Sequence, residues 1–418
     1  MRSIDIDDLR EPRRDTHQQQ IYEAALTMEV ELDPASLLAS AKRRTGLADL
    51  GSDPTVLDRL RAQAEAADAD SGLSGLGRYM VRRRLVGLLA ARLRFEDFIR
   101  RYPEALATPL DPPIVVIGLP RSGTTHLVNL LAADTRLRSL PWWEAAEPIP
   151  VLGDGPGRDG IDPRFLRSQD DHEATRSVSP LTSYMHDRPP SFIEEECELM
   201  DLDFCAYTLE WHARVPTWRD AYFELDQRAH YGFLDRALRV LSFLRGPRRW
   251  VLKCPQHLEQ TDALLATFPT ATVALTLRDP VAVVQSTLTM LAYGDRLRRI
   301  TIDADELALY WVDRVDRLLR ACVRDVGRID PHRRVDVEFT SFTRNPLPVA
   351  EAIATAAGLD VTEECQRQWA AFLATDSRSR DARIGYNLLR DFAIEPRALH
   401  ERYQYYFDAF PQVRTEVS

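Results

Sequence analysis

The sequence predicts an α/β fold: a P-loop-like, three-layer α/β arrangement with a central parallel sheet and helical N-terminal and C-terminal extensions. Two observations indicate it. A run of β-branched residues, Ile114 to Ile117, is followed by a glycine-bounded loop and a helix with periodic apolar positions. Short apolar strands then alternate with helices along the chain, which is the pattern of a parallel sheet covered by helices on both faces.

Residues 1–108 are predicted to be helical and to pack on the core. Apolar residues recur at helical spacing in HQQQIYEAALTM, PASLLASA, PTVLDRLRAQA and YMVRRRLVGLLAARLRFEDFI. The last segment is basic and amphipathic. We interpret it as a core-packing helix with a solvated arginine face rather than a membrane-surface helix.

Residues 109–360 are predicted to form the α/β domain, and residues 361–418 a helical extension that completes the same domain. After the first strand and its helix, the segment from Pro141 to about Pro190 is rich in Gly, Pro and Asp and is predicted to be irregular. Helices are predicted in SFIEEECELMDLDF and RAHYGFLDRALRVLSFLRG. Strands are predicted in RWVLK, TVALTL and RVDVEF, with helices between them.

Composition indicates a globular chain that is not a general nucleic-acid binder, because its net charge is −10 and 44% of its residues are hydrophobic. The acidic, polar amino terminus does not resemble a signal peptide, and no apolar run is long enough for a transmembrane segment. Five cysteines without CxxC spacing predict neither a disulfide framework nor a metal site. We therefore expect a cytoplasmic protein. The sequence leaves its oligomeric state open, a homo-oligomer included.

The loop GLPRSGTT, from Gly118 to Thr125, is predicted to bind a phosphate-like anion, because backbone N–H groups and a helix N-terminus converge there. Gly118-x-x-x-x-Gly123 has the spacing of the ATP- and GTP-binding P-loop. Thr124 stands where that motif has its lysine, and Arg121 is the only cation of the loop. This favours a phosphorylated ligand other than a triphosphate.

Two further strand ends carry residues suited to an anion. Only Lys42 and Lys253 among the 54 basic residues are lysines, and Lys253 ends a predicted strand. Arg278 ends the next strand, and Ser286 lies two helical turns later. An arginine and a hydroxyl suit a phosphate monoester, although both could instead be structural. Ligands of parallel sheets bind beyond the carboxyl ends of the strands, where all these residues are predicted to lie.

In this order, GLPRSGTT after a strand, a strand-terminal LKCPQH and TLRDPVAVVQS resemble the sulfotransferases that use 3′-phosphoadenosine-5′-phosphosulfate. The branch with the bacterial and tyrosylprotein enzymes is the most similar. The resemblance covers roughly Pro112 to Gly358, and YQYYFDAF fits the bacterial branch. It implies transfer of a sulfuryl group to a hydroxyl, or an amine, of a small-molecule, lipid or carbohydrate acceptor, leaving adenosine 3′,5′-bisphosphate.

The resemblance also implies roles for individual residues. The 5′-phosphosulfate would be held by Arg121, Ser122, Gly123, Thr124 and Thr125. The 3′-phosphate would be held by Arg278 and Ser286, while Lys253 and Arg121 would stabilise charge during transfer. Members of this family need no metal for the chemistry. Thr124 in place of lysine fits a donor that has no γ-phosphate.

Two residues are candidates for the base that takes the acceptor proton. Glu144, in PWWEAAEP, stands about twenty residues past the loop, where the tyrosylprotein enzymes carry a catalytic glutamate, and Glu147 also fits this approximate spacing. His257 lies four residues after Lys253, whereas the histidine of cytosolic sulfotransferases lies two residues after the lysine. Glu144 ranks slightly above His257, and structural hydrogen bonding remains the alternative for both.

Three other features are assigned lesser roles. The acidic run Glu194 to Glu196, with Glu198, is predicted to be a solvated or partly paired helix start rather than a metal site, because consecutive carboxylates diverge around a helix. The aromatic run from Tyr403 to Phe410 is predicted to pack in the core. The chain lacks the Gly-rich, Trp-Lys motif that completes the 3′-phosphate site of cytosolic sulfotransferases, and the candidates to replace it are Arg378, Arg380 and Arg383.

Two other functions remain open on the sequence. One is a nucleotide-dependent kinase or NTPase with a degenerate P-loop. Thr124 and the lack of a convincing strand-terminal, metal-binding aspartate argue against it. The other is a non-catalytic binding protein of the same fold.

Overall fold

A five-stranded parallel sheet lies at the centre of the chain, whose computed structural model describes residues 2–155, 160–375 and 382–417. The strands are β1 (Arg2–Asp5), β2 (Ile114–Gly118), β3 (Leu137–Arg138), β4 (Arg249–Lys253), β5 (Thr272–Leu277), β6 (Arg334–Glu338) and β7 (Ala382–Gly385). The central sheet has the order β3-β4-β2-β5-β6, with every neighbouring pair parallel, and β1 pairs with β7 in a separate parallel ribbon. The predicted α/β fold with a central parallel sheet is confirmed.

Helices cover this sheet and extend the chain at both ends. They are α1 (Thr16–Leu26), α2 (Pro34–Thr45), α3 (Val56–Asp68), α4 (Gly75–Arg101), α5 (Thr124–Ala132), α6 (Trp142–Ala146), α7 (Pro163–Val178), α8 (Thr182–His186), α9 (Cys197–Met200), α10 (Pro216–Phe223), α11 (Arg228–Arg245), α12 (Thr261–Thr267), α13 (Pro280–Arg298), α14 (Ala304–Asp325), α15 (Phe339–Arg344), α16 (Leu347–Ala356), α17 (Glu363–Thr375), α18 (Leu388–Phe392), α19 (Pro396–Arg402) and α20 (Gln404–Ala409). Among the described residues, none of these helices is long and apolar enough to cross a bilayer.

Burial explains why β2 and β5 contain almost only apolar residues. Both strands are interior to the sheet, and every residue of each is buried, as expected for parallel strands covered on two faces. Alternate residues of β2 enter two separate apolar cores. Val115 and Ile117 belong to the larger core, which includes residues of α4, α11 and α13, whereas Ile114 and Val116 belong to a smaller core with residues of α5 and α16.

The amino-terminal region contains the expected helices and one unexpected strand. The longest helix, α4, begins at Ser74, whose hydroxyl accepts a hydrogen bond from the N–H of Gly77. Its apolar residues Leu85, Leu89 and Leu93 belong to the larger core, with Val115 and Ile117 of β2. The strand β1 was not predicted, because its partner β7 lies more than 370 residues away in sequence.

Two predictions of local structure were wrong. The segment predicted to be irregular contains α7, a polar helix without the apolar stripe that sequence analysis detects. The segment SFIEEECELMDLDF is not one helix, because only α9 and a short 3₁₀ turn form within it. Ile193 instead makes an antiparallel bridge with Pro141, immediately before the acidic run.

Candidate functional site

The loop after β2 is held in a strained, tightly packed turn at the carboxyl end of the sheet. Arg121 has φ 65° and Gly123 has φ 83°, both in the left-handed region that is costly for a residue with a side chain. A Cβ on Gly118 would lie 1.9 Å from Thr276 Oγ1. The Ser122 hydroxyl lies 2.6 Å from both the Leu119 carbonyl oxygen and Thr276 Oγ1. The predicted loop residues therefore form a compact backbone turn.

This turn leads directly into the N-terminus of α5. Gly123 occupies the N-cap position, and Thr124 and Thr125 form the first helical turn. Thr124 is buried, whereas Thr125 is partly exposed. Unpaired N–H groups at the start of a helix attract anions, so the geometry expected for a phosphate-binding loop is present.

Arg121, Arg278 and Ser286 meet next to this loop. Arg121 Nε donates to Ser286 Oγ over 3.0 Å, and Arg278 Nη1 donates to the Arg121 carbonyl oxygen. Tyr386, just after β7, is 3.1 Å from Ser286 Oγ through its hydroxyl. Burial lowers the pKa of Arg121, and Tyr386 partly offsets this effect. The structure thus brings Arg121 together with a second cation and a hydroxyl that lie more than 150 residues away in sequence.

Arg278 also contacts an acidic side chain near the end of the described chain. Its Nε donates to Glu416 Oε1 over 2.9 Å and its Nη2 donates to Glu416 Oε2 over 2.8 Å. The Arg278 guanidinium also stacks over the ring of Phe339, whose centroid lies 3.9 Å from the guanidinium carbon. Arg278 is therefore oriented by stacking and by charge-assisted hydrogen bonds.

Lys253, the last residue of β4, is completely buried and is paired with a carboxylate. Its Nζ donates to Glu195 Oε1 over 2.6 Å, and its backbone N–H donates to Glu196 Oε2 over 2.6 Å. Burial alone would lower the pKa of Lys253, but Glu195 and Glu194 more than offset that effect and the pKa is raised. Lys253 is therefore held as a cation at the carboxyl end of the sheet.

The prediction that the acidic run is solvated was wrong, whereas its alternative of a partly paired helix start is confirmed for Glu196, the N-cap of α9, and for Glu198 in the first turn of that helix. Glu194, Glu196 and Glu198 are buried. Burial, with further contributions from Glu195 and Glu198, raises the pKa of Glu194 to about 7. Its Oε2 is buried without a hydrogen-bond partner in the described part of the chain. No local signal in the sequence indicated this burial.

His186, at the end of α8, was missed by the sequence analysis. Burial and the positive charges of Arg188, Arg121 and Lys253 hold the pKa of His186 well below its usual range. Neither ring nitrogen has a hydrogen-bond partner among the residues that the structure describes. No spacing pattern in the sequence links this histidine to the loop or to Lys253. At neutral pH it contributes an uncharged imidazole near these three cations.

Glu144 is not brought to this group of residues. Its carboxylate oxygens accept hydrogen bonds from Arg138 Nη2 over 3.1 Å and from Arg245 Nη1 over 2.8 Å. The Arg138 guanidinium lies over the ring of Trp250, near the start of β4, about 10 Å along the strand from Lys253. Glu147 likewise pairs with Arg167. Glu144 is placed to stabilise the fold at the other end of β4.

His257 lies close to Lys253 in sequence, but both nitrogens of its imidazole ring are hydrogen-bonded to other side chains. Its Nε2 lies 2.5 Å from Glu196 Oε1 and its Nδ1 lies 2.6 Å from the Tyr231 hydroxyl. His257 and Tyr231 are fully buried. With both ring nitrogens engaged, the imidazole positions Glu196 and through it the backbone of Lys253.

One group of metal-ligand atoms lies at this end of the sheet. A carboxylate oxygen of Glu195 and the sulfurs of Cys197 and Cys254 lie within 4.8 Å of one another. Burial raises the pKa of Cys254 to about 11, so its thiol holds its proton at neutral pH. Lys253 already neutralises Glu195. The arrangement therefore favours an ammonium over a metal ion as the partner of this carboxylate.

The arginines near the carboxyl terminus that are candidates to complete the anion site do not all lie in the described part of the chain. Arg378 and Arg380 lie outside the described residues, and Arg383 is an exposed residue of β7. Tyr403, Tyr406 and Phe410 from the aromatic run are buried in the larger core, as packing residues.

Comparisons with known proteins found a matching family model and similar chains. Residues 112–363 match the model of the sulfotransferase family. The omega-hydroxy-beta-dihydromenaquinone-9 sulfotransferase Stf3 of Mycobacterium bovis and that of Mycobacterium tuberculosis are each 26% identical to the chain over 273 residues. The match covers 60% of this chain and 63% of each relative, which is less than two thirds of their length.

Two solved structures are similar over most of their length. The sulfotransferase STF1 from Mycobacterium tuberculosis has 27% sequence identity and a TM-score of 0.77, with 88% of this chain and 97% of that chain covered. The sulfotransferase STF9 from Mycobacterium avium has 26% identity and a TM-score of 0.79, with 92% and 98% covered.

Proposed function

The chain belongs to the sulfotransferase family, and on this basis we propose that it transfers a sulfuryl group from 3′-phosphoadenosine-5′-phosphosulfate to the hydroxyl of an acceptor. The observation that carries the proposal is the convergence of Arg121, Lys253 and Arg278 at one edge of the sheet, around a loop that ends at a helix N-terminus. Three cations around an anion-binding turn suit a ligand with several acidic groups.

The residues present fit this donor. The turn from Arg121 to Thr125 would hold the 5′-phosphosulfate, because it ends at the N-terminus of α5, where unpaired N–H groups attract anions. Arg278 and Ser286 would hold the 3′-phosphate, with Arg121 linking them. When bound, the donor supplies the sulfuryl group and a phosphate leaving group.

In the proposed reaction, Lys253 and Arg121 would stabilise the charge that develops on the transferred group and on the leaving phosphate. We assign the base to Glu195. It is 2.6 Å from Lys253, and its side chain is 19% exposed, in contrast to the buried Glu194 and Glu196. A general base must first be within reach of the acceptor proton, so the more exposed carboxylate is the better candidate.

The proposed transfer is a single displacement at sulfur with one proton transfer. The acceptor oxygen forms a bond to sulfur as the bond from sulfur to the 5′-phosphate oxygen breaks, and Glu195 takes the hydroxyl proton. The residues act by positioning and electrostatics, as in phosphoryl transfer. Glu144 and His257 stay as the competing base assignments, although both are engaged elsewhere in the fold.

The acceptor class is supported by the relatives' names alone. The Stf3 enzymes are named for a hydroxylated dihydromenaquinone, so we propose an alcohol on a small-molecule or lipid acceptor, with carbohydrate alcohols and amines as alternatives. A cytoplasmic location belongs to the same proposal, because all five cysteines are free.

The kinase or NTPase hypothesis makes a different prediction, namely Mg²⁺-dependent binding of a triphosphate. Titration calorimetry with adenosine 3′,5′-bisphosphate and, separately, with Mg-ATP discriminates the two. We expect micromolar binding of the bisphosphate and no comparable binding of Mg-ATP. Binding of Mg-ATP without the bisphosphate would overturn the proposal. Transfer of labelled sulfate from the donor to a lysate fraction would exclude a purely binding role.

A further inference from the structure

We propose that Glu416 is an internal competitor for the 3′-phosphate subsite at Arg278, an inference that rests on the proposed function. The Glu416 carboxylate engages Arg278 through two hydrogen bonds, of 2.9 and 2.8 Å. This fork is the geometry with which arginine binds a phosphate. A 3′-phosphate can therefore bind this edge of the guanidinium only when the carboxylate leaves.

Other parts of Arg278 are already engaged inside the protein. Nη1 donates to the Arg121 carbonyl oxygen in the loop, and one face of the guanidinium is covered by the Phe339 ring at 3.9 Å. Nε and Nη2 form one edge of the guanidinium, and Glu416 occupies both of them. The competition is therefore for one defined pair of hydrogen-bond donors.

The backbone around Glu416 is anchored independently of its side chain. The N–H groups of Glu416 and Val417 donate to Asp279 Oδ2 over 2.7 and 3.3 Å. Asp279 is fully buried, and its other oxygen caps α13 by accepting from Val281 N over 2.8 Å. Val413, three residues earlier, is also buried. Release of the carboxylate from Arg278 therefore requires no release of the segment.

The side chain itself has room to move. The side chain of Glu416 is 23% exposed and that of Arg278 is 17% exposed, so the carboxylate can rotate into solvent around its anchored backbone. A phosphate monoester carries up to two negative charges and displaces a single carboxylate. The carboxylate would return as the bisphosphate product leaves, which keeps a tightly bound product from blocking turnover.

Calorimetry on the full chain tests this inference. We expect Glu416→Gln and Glu416→Ala to bind adenosine 3′,5′-bisphosphate about tenfold more tightly than the unmodified chain, because one charge-assisted competitor is lost. Binding of adenosine 5′-monophosphate, which has no 3′-phosphate, should not change. Glu401→Gln is the matched control, since Glu401 is exposed and pairs with Arg397 on the same helix.

Two outcomes separate this inference from the proposed function. If the bisphosphate binds and Arg278→Ala weakens it, but both Glu416 variants bind it with unchanged or lower affinity, the competitor is overturned and the donor assignment stands. If the Glu416 variants increase the affinity for adenosine 5′-monophosphate as much as for the bisphosphate, the cause is the change in net charge and not a vacated 3′-phosphate subsite. The inference is then also overturned. In an Arg278→Ala background, Glu416→Gln should have no further effect. Absence of bisphosphate binding to the unmodified chain would overturn both proposals.

Discussion

The ammonium of Lys253 and the carboxylate of Glu195 lie 2.6 Å apart at the carboxyl end of the central sheet. The cation is completely buried, whereas the carboxylate side chain is 19% exposed, so the pair reaches from the core to the surface of the site. Removing one member of a buried pair leaves the other uncompensated, which costs about 3–5 kcal/mol. The same contact thus links the stability of this edge to its proposed chemistry.

Replacement of Lys253 should abolish most of the transfer activity. We expect Lys253→Ala to lower turnover by about a hundredfold or more, because the charge on the transferred group loses its buried cation. Lys42→Ala is the control, since Lys42 is the other lysine of the chain and is exposed. Steady-state transfer of labelled sulfate measures the effect. Near-normal turnover in Lys253→Ala would remove Lys253 from the mechanism.

A second pair of variants decides the identity of the base. Glu195→Gln should reduce turnover by about a hundredfold or more with nearly unchanged bisphosphate affinity. Glu144→Gln should keep its turnover but melt at a lower temperature, because Arg138 and Arg245 lose a charged partner. Initial rates, calorimetry and thermal melting are measured on the same preparations. Loss of turnover in Glu144→Gln with retention in Glu195→Gln would return the role to Glu144.

Arg278 should dominate recognition of the 3′-phosphate. Arg278→Ala should weaken binding of adenosine 3′,5′-bisphosphate by about 2 kcal/mol while the fold stays intact, since a charge-assisted contact is lost. Arg397→Ala, at an exposed position on α19, serves as the control. Calorimetry gives the affinities and circular dichroism verifies the fold. Equal affinities for the two variants would place the 3′-phosphate elsewhere.

The buried Glu194 should make stability depend on pH. Burial raises the pKa of Glu194 from 4.5 to about 7, so its protonated form favours folding. This contribution is complete below the unfolded value of 4.5 and is lost as pH rises through about 7. The unmodified chain therefore loses this contribution between about pH 5 and about pH 8, and Glu194→Gln does not. The free energy of unfolding of Glu194→Gln minus that of the unmodified chain should rise over this range.

Thermal melting at both pH values measures this change. Glu363→Gln is the control, because the Glu363 side chain is 93% exposed. A melting-temperature difference between Glu194→Gln and the unmodified chain that does not vary with pH would contradict the prediction.

Close packing around Gly118 predicts that an added methyl group at this position destabilises the fold. Gly118→Ala places a Cβ 1.9 Å from Thr276 Oγ1 and should destabilise the fold by about 1–3 kcal/mol through forced movement of β5 or the loop. Gly87→Ala is the control, because Gly87 lies in helix α4 with no atom within 4 Å of its Cβ position. That change should stabilise the chain by about 0.5–1 kcal/mol. Denaturant unfolding of both variants distinguishes these opposite signs.

The strand, loop and helix from Ile114 to Ala132 could be predicted because their signals are local. β-branched residues favour a buried strand, Gly118 and Gly123 permit a tight turn, and apolar periodicity marks the helix. The strands RWVLK and TVALTL were predicted with the bounds that the structure has. Their parallel order then predicted that Lys253 and Arg278 lie at the same edge as the loop.

The acidic run could not be placed in the same way. Consecutive carboxylates at a helix start diverge around it, so the sequence predicts a solvated or partly paired run. The bridge between Pro141 and Ile193 fixes the backbone just before the run, and Glu195 pairs with the buried Lys253. A long-range backbone contact overrode the local pattern.

The sequence by itself determined the parallel sheet, the anion-binding loop and the strand ends that carry cations, because propensity and turn chemistry act over a few neighbouring residues. Only the tertiary structure decided which carboxylate meets which cation. Glu195 and Lys253 are 58 residues apart, and Arg278 and Glu416 are 138 apart. With 64 acidic and 54 basic side chains, the sequence permits many pairings. Coulomb attraction selects among them only after folding has brought distant segments together in a site of low dielectric.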